Sequence, residues 1–261
     1  MDLALRGKTA LVLGGGGGLG SVIATTLARE GVNIAVADID DAALERCVGE
    51  IRSTGAEGVA LQWNLADLSV IDRHVNTIED QLGEVDILVN ITGGPPPTPA
   101  SGQDPALWIG NFQSMVLSVI AITDRLLPNM KSRKWGRVIT STSSGVVAPI
   151  PNLGLSNALR LVLVGWSKTL AREVARDGIT ANVVIPGRVA TDRIKFLDDA
   201  KAKREGRTVD AVVAESTSTI PIGRYGTPQE YANVVTFLAS PCAAYVTGST
   251  VRVDGGLIAG I

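Results

Sequence analysis

The chain is poor in the residues that most often announce a function. Its 261 residues include two cysteines, one histidine, three tyrosines and an aromatic share of only 4%. Cys47 and Cys242 stand far apart with no metal-type spacing, so neither a metal site nor a disulfide framework is expected, and a reducing compartment fits. Basic residues are not in excess. The formal net charge is −2, which argues against the basic face of a dedicated nucleic-acid binder. No apolar run reaches bilayer length and no signal-type segment precedes the first strand-like run, so no membrane is expected. The plain expectation is a soluble cytoplasmic protein that acts on a small molecule.

What the chain has in quantity is Gly, Ala, Val, Leu and Ile, which suit a buried parallel sheet covered by helices. Seven short apolar runs recur: 9–14, 33–38, 58–63, 85–90, 137–142, 179–186 and 249–255. Between them lie segments with helical spacing: 19–30, 41–54, 68–82, 104–131, 152–176, a ragged stretch near 192–218, and 228–239. Strand–helix alternation of this kind gives βαβ units with right-handed crossovers. No composition break divides the chain, so one α/β domain over 1–261 is expected, with a doubly wound seven-stranded parallel sheet and helices on both faces.

Two connections are long. Residues 92–105, TGGPPPTPASGQDP, carry too much proline for regular structure. Residues 190–225 are polar and charged, with a helix-like interior. Both follow strands at the carboxyl edge of the sheet, where open α/β folds bind ligands. Segments of this length are either binding loops or plain surface connections.

Residues 10–20 read ALVLGGGGGLG. Glycine allows a tight turn and lets backbone N–H groups approach a pyrophosphate, and the helix that follows adds the positive end of its dipole. The register is open: Gly15, Gly17 and Gly20 fit one fingerprint, and Gly14, Gly18 and Gly20 fit a G-x3-G-x-G spacing. Asp38 ends the next strand about 20 residues on, as an NAD-binding βαβ unit requires. Its carboxylate can accept from both adenosine ribose hydroxyls and would repel a 2′-phosphate. No Arg or Lys stands in the glycine run or at 39–45, so NAD is preferred over NADP.

Several further landmarks fall in order: Asp86-Ile87-Leu88-Val89-Asn90, Asn90-Ile91-Thr92-Gly93, Gly136-Arg137-Val138-Ile139, Asn182-Val183-Val184-Ile185-Pro186-Gly187 with Thr191, and Val253-Asp254-Gly255-Gly256. Together with Gly14-x3-Gly18-x-Gly20 they make nearly the whole chain resemble the short-chain dehydrogenase/reductase family, in the general pattern of its 3-oxoacyl-carrier-protein reductases. The resemblance implies a Rossmann-like fold, a nicotinamide cofactor and a homotetramer. It places Gly14, Gly18, Leu19 and Gly20 at the pyrophosphate, and Asp38 and Ile39 at the adenosine ribose. Asn64 and Leu65 would flank the adenine, with Asn64 where the family usually has aspartate. Asn90 and Gly93 would border the inner ribose, and Val189 and Thr191 would meet the carboxamide.

The same resemblance implies a Ser, Tyr, Lys and Asn set for proton transfer, and here the pattern breaks. Ser143 stands at the serine position. Thirteen residues on, at the tyrosine position, stands Ser156, and four later, at the lysine position, Arg160. The asparagine position falls on Met115, with Asn111 one helical turn earlier. An alkyl hydroxyl is a far poorer acid than a phenol, and a guanidinium does not release its proton near neutral pH. Arg160 is still able to stabilise a developing alkoxide. The tyrosines all lie late in the chain, at 225, 231 and 245. His74 reads as a surface residue. Arg160 with Arg188 and Arg193 forms either an electropositive mouth for an anionic substrate or, for the latter two, part of a solvated helical face. The remaining cations of 195–207 read as the solvated face.

Three functions fit. The first is an NAD(P)-dependent oxidoreductase on a carbonyl/secondary alcohol pair, with Ser143 orienting the oxygen, acting on a 3-oxoacyl thioester or other anionic substrate. The second is a cofactor-binding partner subunit or sensor without dehydrogenase activity. The third is a different reaction hosted on the old site.

Overall fold

The computed structural model describes residues 2–260. Seven parallel strands form one sheet: β1 (Thr9–Leu13), β2 (Asn33–Asp38), β3 (Gly58–Gln62), β4 (Ile87–Asn90), β5 (Gly136–Ser141), β6 (Ile179–Pro186) and β7 (Thr250–Val253), in the order 3-2-1-4-5-6-7. This is a Rossmann-like sheet, and all seven expected strands are in it. The order reverses between β1 and β4, which pair directly through Ala10–Ile87, Leu11–Leu88 and Val12–Val89.

The apolar runs are continuous rather than alternating because both faces of the sheet are covered. Along β1, Ala10 and Val12 join one core, while Leu11 and Leu13 join the other. The first core is closed by α1 (Gly18–Arg29), α2 (Asp41–Ser53) and α9 (Pro228–Ala239), through Ile23, Leu27, Leu44, Ile51, Tyr231 and Val235. The second is closed by α3 (Ile71–Leu82), α5 (Ser118–Ser132) and α6 (Gly154–Val174), through Val75, Ile78, Ile122, Leu126, Leu170 and Val174. A third, smaller cluster joins Met115, Val116 and Val119 to Leu155, Leu159 and Leu163.

The segment expected as one helix near 104–131 is composite. It begins as α4 (Pro105–Phe112), capped by Asp104, which accepts from the Ala106 N–H. A π-helical turn, Gln113–Leu117, then leads into α5. Met115 lies inside that turn, buried. Together these pieces make a 28-residue helix apolar enough by composition to cross a membrane, longer than the apolar runs suggested. Its middle and C-terminal parts pack on the protein: the π-helical turn and α5 join α6 through the third cluster, and Arg125 on the flank is ion-paired with Asp72 and Glu79 of α3. The ragged stretch resolves into α7 (Asp192–Glu205), capped by Thr191, and α8 (Val209–Ser218), capped by Thr208.

His74 corrects an expectation. It is buried on α3, and its ring lies 4.6 Å from that of Trp63. Its place on the apolar face of an amphipathic helix put it inward, a matter of helix phase that a lone histidine does not advertise. Burial, and secondarily the Arg73 charge, lowers its pKa from the ordinary 6.5. The unfolded chain therefore takes up a proton first as pH falls through about 6.5, and stability is lost below that value and unaffected above it. Between about pH 7.5 and pH 5.5 the urea midpoint should fall further for the wild-type chain than for His74→Phe, whose ring keeps the Trp63 contact. Equal slopes for the two proteins would show that His74 carries none of the pH dependence.

Candidate functional site

The cofactor half is built on the turn from β1 into α1. Gly14 and Gly18 both have positive φ, at 62° and 55°, and a β-carbon on Gly20 would overlap the Gly14 carbonyl oxygen. Gly17 has an extended backbone, and a β-carbon there would meet nothing. The structure thus needs glycine at positions 14, 15, 18 and 20 but not at 17, and it is the freedom at Gly17 that favours G-x3-G-x-G between the two registers. Gly17 caps α1 without a side-chain bond, and no acidic residue stands in the first turn. The opening N–H groups of α1, at Gly18 and Leu19, are left for an anion.

Asp38 ends β2 beside this loop. One carboxylate oxygen accepts from the Gly16 N–H at 3.0 Å, and the other accepts from Ile39 N–H at 2.8 Å and Asp40 N–H at 3.3 Å. The carboxylate is thereby held at the end of its strand. Each oxygen can accept from more than one donor, so ribose hydroxyls can still bind. The Ile39 side chain is 69% exposed next to it. Asn64, exposed, uses its side-chain oxygen to close a turn on the Ala66 N–H, with Leu65 half-buried inside that turn. Asn90 is buried at the end of β4. Its amide donates to Thr140 Oγ1, while its side-chain oxygen has no partner among the described residues. Across the crevice, Val189 is buried and Thr191 caps α7; the Thr191 methyl lies 4.0 Å from where a β-carbon on Gly18 would stand. The glycine cradle, the orphaned Asn90 oxygen and the exposed Ile39 are what a dinucleotide would fill, so the residues present fit the group.

The second half lies at the ends of β4 and β5. Ser143 is half-buried, and its hydroxyl oxygen accepts from the Gly145 N–H at 3.1 Å, which leaves its own O–H free to donate. Ser156 is buried in the first turn of α6 and accepts from Arg160 Nε at 3.4 Å. Arg160 also donates to the carbonyl oxygens of Ser141, Thr92 and Gly93, at 3.4, 3.3 and 3.2 Å. It therefore ties the loop after β4 to the end of β5, and Gly93 meets it through its carbonyl. Burial, and then the charge of Arg193, pushes the Arg160 pKa down to about 10, so the group stays cationic at neutral pH. Asn157, the next residue after Ser156, donates to Ile150 O and keeps a buried side-chain oxygen without a partner, pressed against Gly145.

No tyrosine supplies an acid here. Tyr231 is fully buried on α9; its hydroxyl meets Ser141 Oγ at 2.8 Å and the Val184 carbonyl, and burial raises its pKa. Tyr225 donates to Asp198, and Tyr245 is fully exposed. Asn111 turns its amide back onto Leu107 O of its own helix. The basic segment divides. Arg188 is paired with the buried Asp198 at 2.6 Å, and Lys201, Arg204 and Arg207 pair with Glu205 and Glu215. Arg193 instead turns inward and donates to Pro95 O at 2.8 Å. Its sequence neighbourhood did not separate it from Arg188, because the distinction depends on where α7 starts.

A doubly wound sheet with a glycine cradle, an acidic residue closing β2 and a serine after β5 defines a nucleotide-dependent oxidoreductase architecture. The profile described as enoyl-(acyl carrier protein) reductase matches residues 15–258. The 3-oxoacyl-(acyl-carrier-protein) reductase FabG of Escherichia coli (strain K12) is 38% identical over 255 residues, spanning 97% of this chain and 98% of that protein. The corresponding enzyme of Vibrio harveyi is 34% identical over 258 residues, spanning 97% and 98%. Among solved structures, L-sorbose reductase from Gluconobacter frateurii, complexed with NADPH and L-sorbose, superposes with a TM-score of 0.94 at 27% identity over 100% of both chains. The chain belongs to the short-chain dehydrogenase/reductase family of NAD(P)-dependent oxidoreductases.

Gly20→Ala should separate the cradle from the fold. Nicotinamide-nucleotide affinity, read by the fluorescence of the reduced form, should fall at least about tenfold because the loop must open to relieve the overlap. An unchanged affinity would contradict the need for a bare glycine at position 20 against the Gly14 carbonyl.

Proposed function

We propose that the chain is an NAD(H)-dependent oxidoreductase acting on a carbonyl/secondary alcohol pair, with a 3-oxoacyl thioester or another anionic compound as substrate. The observation that carries this reading is the pairing of a complete dinucleotide cradle with a free Ser143 hydroxyl and a cationic Arg160 that has no carboxylate partner among the described residues. NAD is preferred because the Asp38 carboxylate closes β2 beside the glycine turn, where it would repel a 2′-phosphate, although the solved relative above holds NADPH. A nicotinamide bound in the cradle supplies or accepts the hydride.

The rest falls to the chain. Ser143 donates to the substrate oxygen and fixes its direction. Arg160 offers fixed positive charge to the same oxygen as it becomes an alkoxide, in a half-buried setting where that charge counts for more than in water. Ser156 acts through Arg160 by holding Nε, and so positions the guanidinium. Neither Ser156 nor Arg160 releases a proton at neutral pH. Water entering past the exposed Gly93 and Gly94 supplies the proton. The absence of a side-chain acid is also the observation that favours the second reading, a cofactor-binding partner subunit or sensor that does not turn over.

Ile109, Phe112 and Leu117, and Leu161 and Val162 of α6, are exposed apolar residues on the two helical segments that share the third core cluster. We assign them to pairing between copies in a homotetramer with two-fold interfaces. The two cysteines, one buried and one exposed, are both free, in keeping with the cytoplasm.

Two measurements test this. NADH and NADPH oxidation should be followed against a panel of ketones, oxo acids and 3-oxoacyl thioesters. Ser143→Ala and Arg160→Ala should each lower kcat/KM by about 100-fold, the scale of losing one oxyanion donor. Turnover indifferent to both sinks the assignment, and tight NADH binding without turnover of any compound selects the second reading. By light scattering the wild type should be tetrameric and Phe112→Glu/Leu161→Glu smaller; a monomeric wild type contradicts the assembly.

A further inference from the structure

Two guanidinium groups converge at the mouth of the site. Arg193 Nη2 lies 3.1 Å, and Arg160 Nη2 3.6 Å, from the point where a β-carbon on Gly94 would stand. Among the described residues Arg160 bonds only to neutral oxygens: one serine hydroxyl and three backbone carbonyls. Arg193 bonds to the Pro95 carbonyl and stacks over the Phe196 ring at 5.5 Å. Among the described residues neither has an ion-pair partner, while Arg188, Arg204 and Arg207 nearby all have one.

This arrangement costs free energy unless an anion is bound. Both groups are half-buried, and burial lowers both pKa values, with mutual repulsion adding to the shift at Arg160. Like charges brought together away from water are stabilised by an anion that bonds to both. Gly94 keeps the approach clear, since a side chain there would crowd Arg193. The residue is exposed, so the pair is reachable from solvent.

We propose that Arg160 and Arg193 together bind a carboxylate of the substrate, so that the site takes a short oxo acid or the matching hydroxy acid. This rests on the oxidoreductase reading above and narrows it. Arg160 gives four of its five N–H groups to Ser156 and three carbonyls, so its remaining Nη1 N–H goes to the carboxylate and only its charge acts on the reacting oxygen; the two groups therefore stand within a few bonds of each other, as in a 2- or 3-oxo acid. A 3-oxoacyl thioester has no carboxylate to place there. The carbonyl oxygens of Thr92, Gly93 and Pro95 around the pair repel a phosphate group bearing two charges more than a single carboxylate group, which bears one even in a dicarboxylate such as malonate.

The test is calorimetric titration of the NADH-saturated protein with malonate, malonamide and inorganic phosphate, with NADH affinity measured separately. Malonate should bind more tightly than phosphate, and malonamide should show no binding. Arg193→Gln should weaken malonate at least about tenfold, the scale of losing a charged hydrogen-bond partner, and leave NADH affinity unchanged. Arg193→Lys, which keeps the charge but not the fork, should fall between. Equal binding of malonamide and malonate, tighter binding of phosphate, or an Arg193→Gln protein with wild-type malonate affinity overturns the proposal. Arginine-dependent malonate binding without turnover of any carbonyl compound leaves the carboxylate site standing and removes the oxidoreductase reading instead.

Discussion

The reversal of strand order between β1 and β4 is the constraint on which the rest depends. These two strands are neighbours, but the helices that follow them leave toward opposite faces of the sheet. A crevice opens at their carboxyl ends because neither crossover can cover it. Apart from Arg160, in the second turn of α6, the site residues end or follow a strand at that edge, or start the helix beyond it. The glycine turn follows β1, Asp38 closes β2, Asn90 and Gly93 follow β4, and Ser143 follows β5. Val189 and Thr191 follow β6, and the Thr191 methyl faces Gly18 across the gap.

Within that crevice the two halves are held by different forces. The cofactor half is a backbone device: conformations open only to glycine, a helix start without an acidic neighbour, and a carboxylate fixed by three amides. The other half is electrostatic. Arg160 ties three separate segments together through neutral carbonyls and brings a second cation, Arg193, close by. The stability of that arrangement in the absence of an anion comes from the carbonyl dipoles around it, which are aligned toward both guanidiniums.

Much of this was legible beforehand. Continuous apolar runs marked seven strands because both faces of each are buried, and strong helical periods marked the covering helices. The π-helical turn at Gln113–Leu117 was not legible, since one extra residue per turn leaves the apolar pattern nearly unchanged over five residues. The inward position of His74 was missed because a single residue carries too little periodic signal. The glycine register was ambiguous in a run of five, and backbone angles were required to separate Gly14 and Gly18 from Gly17.

By itself the sequence determined the parallel sheet, its doubly wound cover, and the presence of Ser143, Ser156 and Arg160 at positions thirteen and four residues apart. Those are properties of local period and spacing, which the chain carries along its length. Only the tertiary structure decided which cations meet. Arg188 and Arg193 lie five residues apart in similar surroundings, yet the start of α7 at Asp192 sends the first to Asp198 and the second to the loop after β4. The convergence of Arg193 with Arg160 joins two segments that are distant in sequence. Charge pairing across such distances is set by packing, which no local pattern records.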